Sequence, residues 1–202
     1  MTRLLPLFPL DVVLLPGIPL PLHIFEPRYR EMIAECLEQN KNFGVIRARE
    51  GGIENVGCTA DILTVTKRYD DGRLDIVTQG RERFEVMVLN EERNFLQAEV
   101  MLLEDSPESA TQEQLNHALQ LHNQILSMAG AVPDNASALQ SLQPSFYLAG
   151  SLPLDLDFKQ QLLAMKSEPE RLQSLIAYLE GIVPKLRRAV QIRQKAGGNG
   201  HA

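Results

Sequence analysis

Between residue 4 and residue 104 the apolar positions recur mainly with a period of two, the spacing of strands that bury one face. Leu4–Leu10, Val12–Leu15 and Pro19–Phe25 read as extended pieces, with Pro16-Gly17 as the turn between the last two. Pro6, Pro9, Pro16, Pro19 and Pro21 keep this stretch out of a helix. Glu26-Pro27 then opens one, because a proline in the first turn gives up no hydrogen bond that a helix needs. Tyr29, Met32, Ile33, Cys36 and Leu37 follow at helical spacing and make one apolar face. Phe43–Ala48 is the next predicted strand, and Glu50–Asn55 a loop. Gly57–Arg68 and Leu74–Gln79 flank Asp71-Gly72, a hairpin signal between two β-rich runs. Phe84, Val86 and Val88 alternate with Glu85 and Met87, and Leu96, Ala98, Val100 and Leu102 with Gln97 and Glu99, so two more antiparallel strands are predicted, joined by Asn90–Asn94. About six to eight strands around one short helix favour a small antiparallel barrel or sandwich over a parallel sheet.

The pattern changes near Glu104. Asp105-Ser106-Pro107-Glu108 offers a cap, a first-turn proline and an acid for the start of a helix. Leu115, Ala118, Leu119, His122, Ile125, Leu126 and Ala129 carry its apolar stripe until Gly130. Ala131–Gln143 reads as a linker with at most one helical turn, and Ser145–Ser151 and Leu156–Met165 as shorter helices. Ser167-Glu168-Pro169-Glu170 is a capping box, with Ser167 as cap and Glu170 reaching back. Leu172, Leu175, Ile176, Leu179, Ile182, Val183 and Leu186 then form a long stripe, with a kink expected at Pro184. The predicted fold class is α+β, divided into a β-rich unit over 1–104, a helical unit over 105–190 and a basic, glycine-rich flexible tail over 191–202.

Composition narrows the function classes. The chain has 202 residues, 44% apolar and 23% charged, enough for a core without disulfide or metal staples. A formal charge of −6 argues against a chain that coats nucleic acid or an anionic membrane, so any such contact must be local. The prolines and Asp11 break the apolar N-terminal stretch, which reads neither as a secretion signal nor as a span, and no membrane association is expected. Cys36 and Cys58 both fall at apolar-patterned positions and imply a reduced, cytoplasmic protein.

The search for a catalytic constellation returns negatives. There is no Gly-x-x-x-x-Gly-Lys-Ser/Thr phosphate cradle, no Gly-x-Ser-x-Gly elbow and no His-Glu-x-x-His pair. His117 and His122 stand about 140° apart around a helix and cannot share a metal. His23 has no carboxylate or cysteine at a typical site spacing, and Ser151 has no assignable base. Asp155 reads as an N-cap, and Lys185, Arg187, Arg188, Arg193 and Lys195 as cations at a helix C-terminus. No catalytic residue, cofactor or metal site is predicted. Two segments remain unusual. Leu20–Arg30 joins a rigid extended piece to a helix through Phe25, Glu26, Arg28 and Tyr29, and Gln79–Phe84 marks a strand start with Gly80, Arg81 and Arg83.

These segments carry a resemblance. Pro6-Leu7-Phe8-Pro9-Leu10, Val12-Val13-Leu14-Leu15-Pro16-Gly17, Pro21-Leu22-His23-Ile24-Phe25-Glu26-Pro27-Arg28-Tyr29, Gly57-Cys58-Thr59-Ala60 and Gly80-Arg81-Glu82-Arg83-Phe84 are similar to the amino-terminal domain of Lon proteases. Leu152-Pro153-Leu154, Lys159–Leu163 and Glu170-Arg171-Leu172 resemble its helical part. The resemblance implies a mainly antiparallel PUA-like pseudobarrel with one inserted helix, followed by a C-terminal helical bundle. It also implies a role in choosing substrates, as a stand-alone domain, since the chain has no positions for the ATPase lysine or the serine–lysine dyad. The expected function is therefore non-catalytic binding of polypeptide segments or a partner protein, with a protease system as an implied context and homo-oligomerisation left open. Phe25, Arg28, Tyr29, Arg81 and Arg83 are the candidate residues that line or support the binding surface. The alternative is a PUA-like RNA-binding protein, which the charge and the absence of Trp disfavour.

Overall fold

A computed structural model describes residues 2–133 and 135–198. The chain forms two compact units, one from the residues up to Asp105 together with Gly150–Lys166, the other from Ser106–Ala149 together with the residues from Ser167 onward.

The first unit holds β1 (Arg3–Leu10), β2 (Pro19–Ile24), α1 (Pro27–Glu38), β3 (Phe43–Arg49), β4 (Gly52–Ile53), β5 (Val56–Arg68), β6 (Leu74–Asn90) and β7 (Gln97–Leu102). They form a seven-stranded sheet in the order β1-β7-β6-β5-β3-β4, with β2 added to β6. The sheet closes because β1 changes partner along its length: Arg3–Pro6 pair with β7, and Leu7–Leu10 pair in parallel with β3. The interior carries Leu5, Leu7, Ile46, Phe84, Ala98 and Val100, all buried. Gly44 and Gly57 leave room for the Phe84 ring, whose Cζ would lie 2.7 and 2.4 Å from a Cβ at those positions. The α+β, mainly antiparallel pseudobarrel expected from the sequence is the observed fold, with α1 inserted after β2 and burying Tyr29, Met32, Ile33 and Cys36.

Several local expectations change. Val12–Leu15 is not a strand, although Leu14 and Leu15 are buried; it is an irregular segment that fills the core from the side. The expected loop at 50–55 contains the two-residue β4, which pairs with Ala48 and Arg49. Gln79-Gly80 does not start a strand, because β6 is continuous over 17 residues. What changes at Gly80 is the neighbour: Leu74–Gln79 pair with β2, residues from Phe84 pair with β7, and between them the Pro16-Gly17 turn docks on Gly80. There the Gly17 amide donates to the Gly80 carbonyl at 2.9 Å and the Gly80 amide donates to Ile18 at 3.0 Å.

The helix α5 (Leu156–Ala164) belongs to this unit and not to the helical unit expected over 105–190. Polar ties account for the difference. Asp155 caps α5 by accepting from the amides of Asp157 and Phe158, while Asp157 binds Arg47 at 2.6 Å and Arg49 at 2.7 Å. Gln160 donates to the Val56 carbonyl at 2.9 Å. Buried Arg83 reaches the carbonyls of Leu163, in the last turn of α5, and Met165, just past it, at 2.8 and 2.5 Å.

The second unit contains α2 (Gln112–Met128), α3 (Asn135–Gln140), α4 (Pro144–Gly150, all but its last residue) and α6 (Glu168–Gly198). The helix expected from Asp105 onward begins instead at Gln112. Thr111 and Gln114 form the capping box there, and Asp105 is engaged by Arg83. Gly130 ends α2's turn at φ +73°, a left-handed conformation suited to glycine. The Glu168 carboxylate accepts from the Ser145 amide at 2.8 Å, the Ser145 hydroxyl at 2.7 Å and Arg171 at 2.7 Å, and Arg171 lies 4.4 Å over the Phe146 ring. Helix α6 passes through Pro184 and continues to Gly198, where a flexible tail was expected; residues 199–202 lie outside the described residues.

Candidate functional site

At the β2–α1 junction Glu26 is extended (φ −68°, ψ 133°), and its carbonyl accepts from the amides of Tyr29 and Arg30, both at 3.0 Å. Its carboxylate holds Arg28 at 2.8 Å, and that guanidinium sits 4.5 Å over the Tyr29 ring. Tyr29 itself is buried with its ring 4.1 Å from that of Phe8, and burial pushes its hydroxyl pKa up. Tyr29 therefore supports the junction from below. Phe25, the residue before Glu26, is 59% exposed.

Phe25 does not stand alone. Its ring stacks on His23 at 5.9 Å, and His23 meets the Asp75 carboxylate at 2.5 Å. Tyr69 donates its hydroxyl to the other Asp75 oxygen at 2.8 Å and presents its ring edge-on to His23. The hydrogen bond with His23, followed by that from Tyr69, holds the Asp75 carboxyl below the usual carboxylate range. Lys67 and Arg73 lie over the Tyr69 ring at 4.3 and 4.8 Å, and Arg30 donates to the Asp71 carbonyl at 2.5 Å. An exposed aromatic residue is thus fixed on a hydrogen-bonded base, with two cations over the neighbouring Tyr69 ring. Sequence reasoning missed Tyr69 and Asp75 and dismissed His23, because only the β2–β6 register places His23 opposite Asp75.

Arg81 and Arg83 lie elsewhere. Ile24 pairs with Leu74 at one end of the β2–β6 ladder and Pro19 with Gln79 at the other, so Arg81 is about 23 Å along β6 from the Phe25 end. Arg81 is exposed and bound to Asp61 at 2.8 Å. Arg83 is buried, reaching Leu103 at 3.3 Å and Asp105 besides the end of α5. Its part is to hold the scaffold, and Phe25 and Arg28 are the exposed members of the first group.

The outer edge of β2 is also defined. Among the described residues β2 pairs with β6 alone. Prolines cannot donate to a ladder, so Pro19 and Pro21 turn toward the free edge while Leu20, Leu22 and Ile24 bond to β6. That edge is a poor template for an added strand, and recognition here depends on side chains.

Cys36 and Cys58 are free and buried, and burial raises their thiols to about 11 and about 12. His122 is buried and its pKa lowered by desolvation, and His117 meets Glu180 at 3.3 Å. Among the described residues no group of His, Cys, Asp and Glu could hold a metal ion, and no helix is long and apolar enough to cross a membrane.

Residues 4–181 match the family described as the ATP-dependent protease La (LON) substrate-binding domain. The chain belongs to this family. It is 27% identical to the Lon protease of Parabacteroides distasonis over 94% of its own length but only 25% of that protein. The Lon protease of Buchnera aphidicola gives the same picture, 27% identity over 95% of this chain and 26% of the relative. The chain thus spans about a quarter of the curated relatives it matches, and what it matches in them is the substrate-binding domain. The Lon N-terminal domain protein from Xanthomonas campestris superposes with a TM-score of 0.72 at 28% identity, covering 87% of this chain and 98% of that one.

Proposed function

We propose that this chain is a non-catalytic binding module that captures polypeptide segments, or a partner protein bearing such a segment, through the Phe25 platform. The carrying observation is an exposed phenylalanine preset on His23, Asp75 and Tyr69 in a family named for substrate binding. A rigid exposed aromatic loses little conformational entropy when it is covered, which is why such residues dominate binding energies. Arg28 and the cations near Tyr69 would orient acidic groups beside the apolar contact. Arg81 and Arg83 enter as a separate site contact and a scaffold residue.

The test is binding of a permanently unfolded, carboxymethylated protein and of a peptide library, measured by anisotropy on wild type and Phe25→Ala. Affinity is expected to fall about tenfold in the variant, equivalent to about 1.4 kcal/mol. Equal affinity in wild type and variant, or hydrolysis of peptide or ATP by the homogeneous protein, would overturn the reading.

A second reading, RNA binding, is favoured by one observation: Lys67 and Arg73 lie over half-buried Tyr69, in the same cluster as exposed Phe25. Retention on single-stranded RNA that weakens steeply with salt and is lost in Phe25→Ala would support it over the first.

A further inference from the structure

The opposite end of the barrel carries a different surface. On the outer face of β1-β7-β6, Leu4 pairs with Glu99 and Glu99 with Val88, so these three side chains lie in a row across three strands. One step along the same face, Met101 pairs with Glu85. A register shift between Val86 and Val88 leaves Met87 unpaired beside them. Leu4, Met87, Val88 and Met101 are all exposed. Single exposed apolar residues are ordinary on a protein surface, but neighbours in register make a patch.

The charges in this region are unbalanced. Elsewhere in the unit many carboxylates meet cations, Glu26 with Arg28, Asp61 with Arg81, Asp71 with Arg73, and Glu31 and Glu35 with Arg93, while Glu38, Glu50 and Asp70 do not. Here none of Glu82, Glu85, Glu91, Glu92, Glu99 and Glu104 has a side-chain partner among the described residues. The cations of the same hairpin are consumed, Arg83 by its buried carbonyls and Asp105, Arg93 by α1. The face is therefore apolar ground set with the uncompensated carboxylates of Glu85 and Glu99.

We infer that the β6–β7 face binds polypeptide segments in which apolar residues are interspersed with lysine or arginine. The inference deepens the polypeptide-binding reading and rests on it. Charge complementarity selects the occupant: a basic segment gains attraction from Glu85 and Glu99, and an acidic one is repelled. Methionine side chains adapt to varied apolar partners, which suits recognition of composition more than of a fixed sequence. The contact is made by side chains on the face, since the ladders of β6 and β7 are already paired on both sides.

The experiment uses the full chain and three labelled peptides that share the same apolar residues, interspersed with lysine, glutamate or serine. Anisotropy is measured on wild type, Glu85→Lys/Glu99→Lys, Glu85→Gln/Glu99→Gln, Val88→Ser/Met101→Ser and Phe25→Ala, each checked for native circular dichroism. In Phe25→Ala, where the β6–β7 face is read without the Phe25 platform, the lysine peptide is expected to bind at least tenfold more tightly than the glutamate peptide, with a preference that shrinks as salt is raised, and the charge and serine substitutions are read in that background. The lysine double variant should reverse that preference, the glutamine variant should abolish it, and the serine variant should weaken lysine-peptide binding. Binding of all three peptides with no charge preference, or a preference that survives both charge variants, overturns this inference and leaves the polypeptide-binding reading intact. Absence of binding by any peptide overturns both.

Discussion

The carbonyl oxygen of Leu15 lies 2.3 Å from the position a Cβ would occupy on Gly80. The obstacle is backbone, held in place by the paired hydrogen bonds of the Pro16-Gly17 turn, so it cannot swing aside. Gly80→Ala is therefore expected to destabilise by about 3 kcal/mol, the upper end of overpacking costs. Gly181, in an exposed stretch of α6 with nothing within 4 Å of its added Cβ, is the contrast. Gly181→Ala should stabilise by about 0.5–1 kcal/mol, because glycine is a poor helix former. Urea midpoints for the two variants, shifting in opposite directions with similar slopes, check the pair. A neutral Gly80→Ala would mean that the turn does not dock on β6.

Arg83 is a test of scaffold against surface. Its guanidinium, 3% exposed as a residue, bonds Leu163, Met165, Leu103 and Asp105, so Arg83→Met would remove a buried donor shared by one carboxylate and three carbonyls. Removing one partner of a buried pair costs about 3–5 kcal/mol. Lysine should restore only part of this, since a point charge cannot reach acceptors spread around a planar fork. Equilibrium denaturation reads the loss, and hydrogen exchange should place the new openings at the end of α5. A stable Arg83→Met that loses peptide binding would instead assign Arg83 to the recognition surface.

Much of this architecture is legible in residue order, and the failures have common physical causes. Period-two alternation locates most strands, and Asp71-Gly72 locates the β5–β6 turn, because both signals are local. Gly80 misleads because its role is set by Leu15, far away in sequence: it marks a change of neighbour within one strand. Asp105 and Pro107 look like a helix start, but Arg83 takes Asp105 and Thr111-x-x-Gln114 supplies a complete cap downstream. Phe25 and Arg28 could be picked out because they sit in one short motif. The cluster of His23, Tyr69 and Asp75 could not, since it exists only once β2 lies antiparallel to β6 in a given register.

Acid should loosen the Phe25 platform before it unfolds the barrel. Asp75 titrates below its ordinary value of 3.8 because the charged carboxylate accepts from His23 and Tyr69. A depressed carboxyl contributes stability that is fully present above the unfolded value and is lost as the pH falls through the lower folded one. Asp75→Asn should thus reduce stability at neutral pH and flatten the profile below about pH 4. Urea midpoints at a series of pH values check this, and an asparagine variant running parallel to wild type throughout the acid range would count against the assignment.

The two cysteines provide a readout of folding that needs no tryptophan. Cys36 lies on the buried face of α1 and Cys58 in β5, and burial raises their thiols to about 11 and about 12. At pH 8 a thiol near 11 is only about one part in a thousand thiolate, and the thiolate is the nucleophile. Reaction with a chromogenic disulfide reagent should therefore be slow in the native protein and fast in urea, its rate following the population of opened molecules. Cys58, the more deeply buried, should lag behind Cys36, because α1 can lift from the barrel at lower cost than β5 can leave the centre of the sheet. Peptide mapping after a brief labelling pulse distinguishes the two positions, and rapid native labelling of Cys58 would contradict the closed barrel described here.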